Sequence, residues 1–340
     1  MSTSLDLQIS PYHFSGGHPH GRQIFKSSVA KIEIEVTSYC NRVCPFCPNS
    51  FLDRRSVKHH MDDAIYDQVL GDLASIDYSG TFCFARYCEP LAERDFFLAR
   101  LRRCRDALPN AQTVVYSNGD YLSPDYLDEL YAAGLRVLVI GVYLGEQQAY
   151  DPELMRARVL ARLDDLGHPY RLVQDEPAAI VARVAYKPGM SVIVRGRNLD
   201  DPPVINGIPL KHDRAGTIAT KTPFRRRSPC FTVFSELQIE CDGTIVPCCN
   251  IRGDNPAHRD YLVGVIGRDG SIFDIWSNAT MAAWRRSLFL FGDKEPPCST
   301  CTYRVQLETP AAVARIQAAA EQLGLVAAHP AGVTGLSLQS

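Results

Sequence analysis

The chain has 340 residues, 46% of them hydrophobic, with 36 basic against 38 acidic side chains and a formal net charge of −2. That length allows about two domains, and the near-neutral balance excludes the field that would draw nucleic acid or an acidic membrane surface. Twelve cysteines are many for a chain whose polar first 19 residues lack the apolar core of a signal peptide, so the expected compartment is the cytoplasm and the expected use is metal ligation rather than disulfides.

Residues 1–30 read as a loose N-terminal arm with Gly16-Gly17 and three histidines, His13, His18 and His20. From Lys31 onward strand and helix patterns alternate. Residues 31–36 alternate polar and apolar side chains, as a half-buried strand does, and 81–85 is a short β-like run. Residues 95–107 place Phe96, Phe97, Leu101 and Cys104 at helical spacing, and 113–116 reads as a strand. Ser123 as N-cap and Pro124 in the first turn open a helix through Ala133, with Gly134 past its end. The continuous apolar run 137–143 suits a strand buried on both faces. The longer apolar stretch around it contains Arg136 and is too short to span a bilayer. A helix follows over 152–166, ending at Gly167, and then strands at 181–186 and 190–194 separated by Lys187-Pro188-Gly189. This alternation predicts an α/β fold: parallel strands with right-handed crossovers, forming a partial, open (β/α)6 barrel of about six strands over 31–197.

Composition shifts after Arg195. Residues 198–229 are rich in Pro, Gly and charge and read as a connector over the barrel mouth, with Arg225-Arg226-Arg227 as a solvated loop. A small domain is expected over 230–305. Its hairpin, 231–240 and 244–248, flanks the two-residue turn Asp242-Gly243. A helix over 272–288 would bury Ile275, Trp276 and Trp284. Residues 306–340 read as an Ala-rich helix ending at Gly324 and a disordered tail.

Two cysteine sets carry the chemistry. Cys40, Cys44 and Cys47 stand in the run Cys-Asn-Arg-Val-Cys-Pro-Phe-Cys, in the loop leaving the C-terminal end of the first strand. That is where α/β proteins place their active sites. Three thiolates so close can hold three irons of a four-iron cluster and leave the fourth open. The alternative is a zinc loop that draws a fourth ligand from His59 or His60. The second set is Cys230, Cys248, Cys298 and Cys301. The hairpin would bring the first two together, and Cys298-Ser-Thr-Cys301 supplies a chelating pair. Four thiolates suit a fully ligated iron–sulfur cluster or a structural zinc equally well on spacing alone. Cys249 could stand in for Cys248, and Cys241 for Cys230. Cys83, Cys88 and Cys104 read as small buried or pocket residues.

The Cys-x3-Cys-x2-Cys spacing, with Phe46 just before the last cysteine, resembles the radical S-adenosylmethionine (radical SAM) superfamily. The resemblance runs from about residue 31 to 305. The second cysteine set resembles the twitch domain, a shortened form of the SPASM extension that holds auxiliary [4Fe–4S] clusters. It implies one auxiliary cluster, ligated by Cys230, Cys248, Cys298 and Cys301. Arg86-Tyr87-Cys88-Glu89-Pro90-Leu91 resembles the Gly-Gly-Glu-Pro-Leu segment that binds the SAM amino group, with Glu89 in the binding role and Cys88 where Gly is usual. Ser117-Asn118-Gly119 resembles a Thr-Asn-Gly segment near the SAM ribose. Tyr143 is a further ribose contact or a core aromatic, and Phe46 would lie beside the adenine. Asp213-Arg214-Ala215-Gly216 resembles an Asn-Arg-Ala-Gly segment that precedes the auxiliary domain.

The resemblance implies that SAM chelates the open iron and is cleaved by one electron to methionine and a 5′-deoxyadenosyl radical, which takes hydrogen from a substrate. The expected substrate is a small polar molecule of a biosynthetic pathway, such as a sugar, aminocyclitol or nucleoside. It would be oxidised, with the auxiliary cluster accepting an electron, or coupled. A flavodoxin- or ferredoxin-like donor is expected as partner, with no nucleic acid and no membrane. A base must remove a proton; Arg195, His212 and Asp213 are candidates by position, as base or as substrate anchors. The second function class is peptide maturation by crosslinking, epimerisation or thioether formation, which usually comes with a leader-binding domain for which the chain has no spare segment. Anaerobically reconstituted protein should hold about eight irons, as two clusters of four; zinc without iron in metal analysis would reject both enzyme readings.

Overall fold

The structure is a computed structural model and describes residues 9–17, 19–145, 148–200, 202–209 and 211–326. His18 and the tail beyond residue 326 lie outside the described residues. In chain order the elements are α1 (Gly21–Ser28), β1 (Lys31–Ile34), α2 (Asp63–Ala74), β2 (Thr81–Phe84), α3 (Arg94–Ala107), β3 (Gln112–Ser117), α4 (Pro124–Ala132), β4 (Val137–Val142) and α5 (Pro152–Leu166). Then come β5 (Tyr170–Glu176), β6 (Ala179–Val184), β7 (Ser191–Arg197), β8 (Val204–Ile205), β9 (Ile208–Pro209), α6 (Thr232–Ser235), β10 (Glu236–Ile239), β11 (Thr244–Val246), β12 (Gly264–Val265), α7 (Ile272–Trp276), α8 (Ala279–Phe289) and α9 (Pro310–Gln322).

Ten of these strands make one sheet in the order β12-β11-β10-β1-β2-β3-β4-β7-β6-β5. β1, β2, β3, β4 and β7 are parallel neighbours. Strands 181–186 and 190–194 were expected to be parallel, but β6 and β7 form an antiparallel pair. Their short Lys-Pro-Gly connection rules out a crossover, which needs a dozen or more residues. The sixth parallel strand is β10, which pairs with β1 from Lys31↔Glu236 to Ile34↔Ile239. The C-terminal hairpin therefore continues the barrel's own sheet. Its turn is longer than expected: the Glu240 amide bonds Thr244 O at 2.9 Å, leaving three loop residues. Gly243 takes φ 83° in that loop, the left-handed position that such a loop requires.

The helices start where side chains can cap them. Asp62 accepts from the Ala64 amide and opens α2, which buries Tyr66, Val69, Leu70 and Leu73 against the sheet. Ser123 and Asp151 cap α4 and α5 in the same way. The helix expected over 272–288 is two helices, because Asn278 accepts from the Met281 amide and starts α8 afresh. Among the described residues no helix is long and apolar enough to cross a membrane.

The N-terminal segment is packed rather than loose. Phe25 of α1 is fully buried and meets Phe273 and Trp276 edge-on. Phe14 packs against Phe234 and Phe289. Arg285 of α8, itself fully buried, donates to the carbonyls of His13, Val233 and Trp276. The His13 ring bonds Ser28 Oγ at 2.9 Å. Burial, then the Arg285 charge, lowers its pKa to about 4. The unfolded chain, near 6.5, therefore binds more protons between pH 6.5 and 4, so stability falls as pH drops through that window. The Tm of wild type should fall more steeply across it than that of His13→Gln in a thermal-melt series; parallel slopes would remove the assignment.

Candidate active site

β1 delivers the 40–47 loop to the mouth formed by the C-terminal ends of the parallel strands. The Cys40 amide donates to Arg54 O at 3.0 Å and the Cys47 amide to Cys44 O at 2.9 Å. Arg42 grips Asp120 through two bonds of 2.7 and 2.6 Å, and Asn41 Nδ2 donates to the same carboxylate at 2.7 Å. Burial pushes the Cys44 thiol up to about 12, with Cys47 and Cys40 adding to it. Cys40 goes up to about 11, again through burial first. Bound iron would displace those protons. Among the described residues no three Cys, His, Asp or Glu groups close on a single metal ion. The His60 ring is engaged elsewhere, bonding both Glu93 oxygens at 3.0 Å and stacking on Phe96 at 4.2 Å. Three thiols on one short loop fit a [4Fe–4S] cluster with one open iron.

Glu89 closes the loop's other side. Its carboxylate accepts from Ser117 Oγ at 2.7 Å, the Asn118 amide at 2.7 Å and the Leu91 amide at 3.0 Å. It is 1% exposed, and burial raises its pKa to about 7 against the pull of those donors. Among the described residues it has no ion-pair partner. A buried carboxylate with its donors in place and no cation is prepared for an incoming ammonium. Asn118 Nδ2 donates to Asn41 Oδ1 at 2.8 Å, tying this network to the cysteine loop. The strained residue of the segment is Arg86, at φ 87°, not Cys88. Arg86 is held by Gln238 Oε1 at 3.0 Å, and by Glu240 Oε1 and Ile251 O at 2.9 Å each.

Phe46 and Tyr143 meet with ring centroids 5.5 Å apart. They line a cavity together with Arg42, Cys44 and Arg197. Tyr143 is thus a cavity wall. Arg195, near the end of β7, lies over the Tyr116 ring at 5.2 Å. His212 and Asp213 lie against the 298–302 loop. Asp213 accepts from Thr300 Oγ1 at 2.5 Å. Thr302 Oγ1 donates to Lys211 O at 2.8 Å, so it accepts at 3.0 Å from His212 Nδ1–H. Burial, then the Arg214 and Arg197 charges, lowers the His212 pKa to about 4. The ring is therefore neutral at pH 7, and Nε2 carries the free lone pair.

The second cysteine set shares one pocket: Cys230, Cys248, Cys298 and Cys301 all line it. Burial and then the neighbouring Cys230 and Cys301 push Cys298 up to about 12. Four thiols lining one pocket fit a fully ligated cluster. Cys249 does not line that space; its carbonyl accepts from Tyr87 Oη at 2.7 Å. Cys241 Sγ bonds His59 O at 3.2 Å, on the other side. Within the Arg225-Arg226-Arg227 run, the outer two are exposed, but Arg226 is 1% exposed and lines the thiol cavity. Sequence reasoning also missed Arg54 and Arg252, which are both buried and share Asp254. Nothing local distinguishes them from surface arginines.

Residues 34–193 match the radical SAM superfamily profile, and residues 230–302 match SPASM, an iron–sulfur cluster-binding domain. The chain therefore carries a radical SAM domain followed by a SPASM domain. The first implies a [4Fe–4S] cluster and SAM as cofactors, and the second implies auxiliary iron–sulfur. Among curated proteins it is similar to the S-adenosyl-L-methionine-dependent 2-deoxy-scyllo-inosamine dehydrogenase of Niallia circulans, 26% identical over 260 residues, covering 76% of this chain and 86% of that one. Among solved structures it is similar to BtrN in complex with AdoMet and 2-DOIA, with 22% identity, TM-score 0.53, and coverage of 76% of this chain and 87% of that one. A structure of BtrN in an open conformation gives 21% identity and TM-score 0.48, covering 76% of this chain and 85% of that one.

Replacing Glu89 by Gln removes the charge and sets an amide against backbone donors. SAM should then bind about 10- to 100-fold more weakly, the equivalent of roughly 1.5–3 kcal/mol for a charge-assisted bond, with iron content unchanged. In wild type, SAM affinity should fall as pH drops below about 7, where Glu89 takes up a proton. Anaerobic equilibrium binding across pH 6–8 checks both.

Proposed function

We propose that this chain is a radical SAM dehydrogenase acting on a small polar molecule of the sugar, aminocyclitol or nucleoside class in a biosynthetic pathway. The likeness to a 2-deoxy-scyllo-inosamine dehydrogenase favours the aminocyclitol end of that range. One observation carries the reading: four thiols line one pocket in the C-terminal domain, while the N-terminal loop offers three. A cluster held by four protein thiolates has no position for substrate, which suits it to electron transfer.

Cys40, Cys44 and Cys47 would hold the radical cluster, and Cys230, Cys248, Cys298 and Cys301 the auxiliary one. Bound together, SAM and the first cluster supply a 5′-deoxyadenosyl radical that takes one hydrogen atom from a substrate carbon. Glu89 receives the SAM ammonium. Ser117 and Asn118 hold Glu89 and border the ribose, and Phe46 and Tyr143 wall the adenosyl side. Arg195 anchors the substrate at the mouth. Asp213 positions the 298–302 loop through Thr300. His212 Nε2 would accept the proton, and an auxiliary cluster held by Cys230, Cys248, Cys298 and Cys301 would supply a one-electron acceptor. The substrate thus loses two electrons and two protons in all. A flavodoxin- or ferredoxin-like donor in a reducing cytoplasm would supply the electron for SAM cleavage.

Combining Cys298→Ala with Cys301→Ala should leave uncoupled cleavage of SAM to 5′-deoxyadenosine intact and abolish oxidised product. Candidate aminocyclitols carrying deuterium, followed by mass spectrometry of 5′-deoxyadenosine and product, read both steps. Normal turnover in the double variant would refute the electron-accepting role.

A further inference from the structure

We propose that Arg226, together with Asn250 and the Tyr303 amide, raises the reduction potential of the auxiliary cluster by hydrogen-bonding one of its ligands, Cys301. This rests on the assignment of that cluster to Cys230, Cys248, Cys298 and Cys301. Three N–H groups converge on Cys301 Sγ: Tyr303 N at 3.5 Å, Asn250 Nδ2 at 3.7 Å and Arg226 Nη1 at 3.8 Å. Among the described residues no hydrogen bond reaches the sulfur of Cys230 or Cys298. The four ligands are chemically unequal.

Arg226 is the more telling of the two side chains. Its Nε donates to Ser228 O at 3.1 Å, Nη2 to Pro229 O at 2.7 Å, and Nη1 to Cys301 O at 3.2 Å and Tyr303 O at 2.7 Å. These are all neutral carbonyls. Among the described residues no carboxylate forms an ion pair with it, although its neighbours Arg225 and Arg227 both pair with Asp293. A buried cation without a countercharge is costly. A thiolate-ligated cluster beside it would supply the missing negative charge. Hydrogen bonds and positive charge at a cluster sulfur favour the reduced, more negative state, and so raise the potential. A higher potential is what an electron acceptor needs.

The test uses the full chain carrying Cys40→Ala, Cys44→Ala and Cys47→Ala, so that the only iron is auxiliary. After anaerobic reconstitution, a redox titration followed by electron paramagnetic resonance gives the midpoint, and resonance Raman gives the Fe–S stretch. Arg226→Met should move the midpoint to more negative values with iron content unchanged. Arg226→Lys, which keeps a charge but not the planar fork, should fall between the two. Asn250→Ala should give a smaller shift in the same direction. Where Arg226→Met fails to load iron, Asn250→Ala decides on the same criterion. Unchanged midpoints with intact clusters would overturn the proposal and leave the cluster assignment standing. A triple cysteine variant that holds no iron would overturn both.

Discussion

The parallel pairing of β10 with β1 fixes everything else in this molecule. β1 runs into the loop of Cys40, Cys44 and Cys47, and β10 runs through its turn into β11 and on to Cys248. Because the two strands share one ladder, with Lys31 opposite Glu236 and Ile34 opposite Ile239, the loop of Cys40, Cys44 and Cys47 and the segment leading to Cys248 leave a single sheet. No linker separates them along this path. Backbone hydrogen bonds of a buried ladder are obligatory, so the placement of Cys248 relative to the first cysteine loop follows from strand register.

Buried charge reinforces that geometry. Arg54 bonds Glu35 at 2.9 Å and Asp254 at 2.7 Å, joining β1's outgoing segment to the C-terminal domain. Arg86 reaches from the Glu89 segment to Glu240 at 2.9 Å. Arg252 lies 4.5 Å over the Tyr87 ring, with Arg86 and Arg214 also facing that ring. Such pairs contribute little to stability once desolvation is counted, but breaking one strands a charge in the interior. Cys47 already feels Arg214, Arg252 and Arg54, although burial dominates its upward shift.

What could be read from the sequence was what is local. The spacing of Cys40, Cys44 and Cys47 is a property of eight residues, and strand and helix periods are properties of about ten. The convergence of Cys230 and Cys248 on Cys298 and Cys301 followed from a hairpin and a chelating pair. The direction of β6 was legible in its short connection to β7 and was missed. So was α2, whose Asp62 cap and Tyr66, Val69, Leu70 and Leu73 stripe are an ordinary helical signal. The pairing of β10 with β1 spans some two hundred residues and has no local signature. Nor does a buried guanidinium: Arg226 differs from Arg225 and Arg227 only in where the fold puts it.

The continuity of the sheet also bears on how the chain avoids self-association. β10 occupies the hydrogen-bonding side of β1 that β2 leaves free. Were the chain cut before residue 230, that side of β1 would become a bare edge flanked by apolar Ile32 and Ile34, a template for adding strands from other molecules. The iron–sulfur extension thus doubles as an edge guard, and the catalytic half carries a built-in aggregation hazard that only its own C-terminal partner relieves.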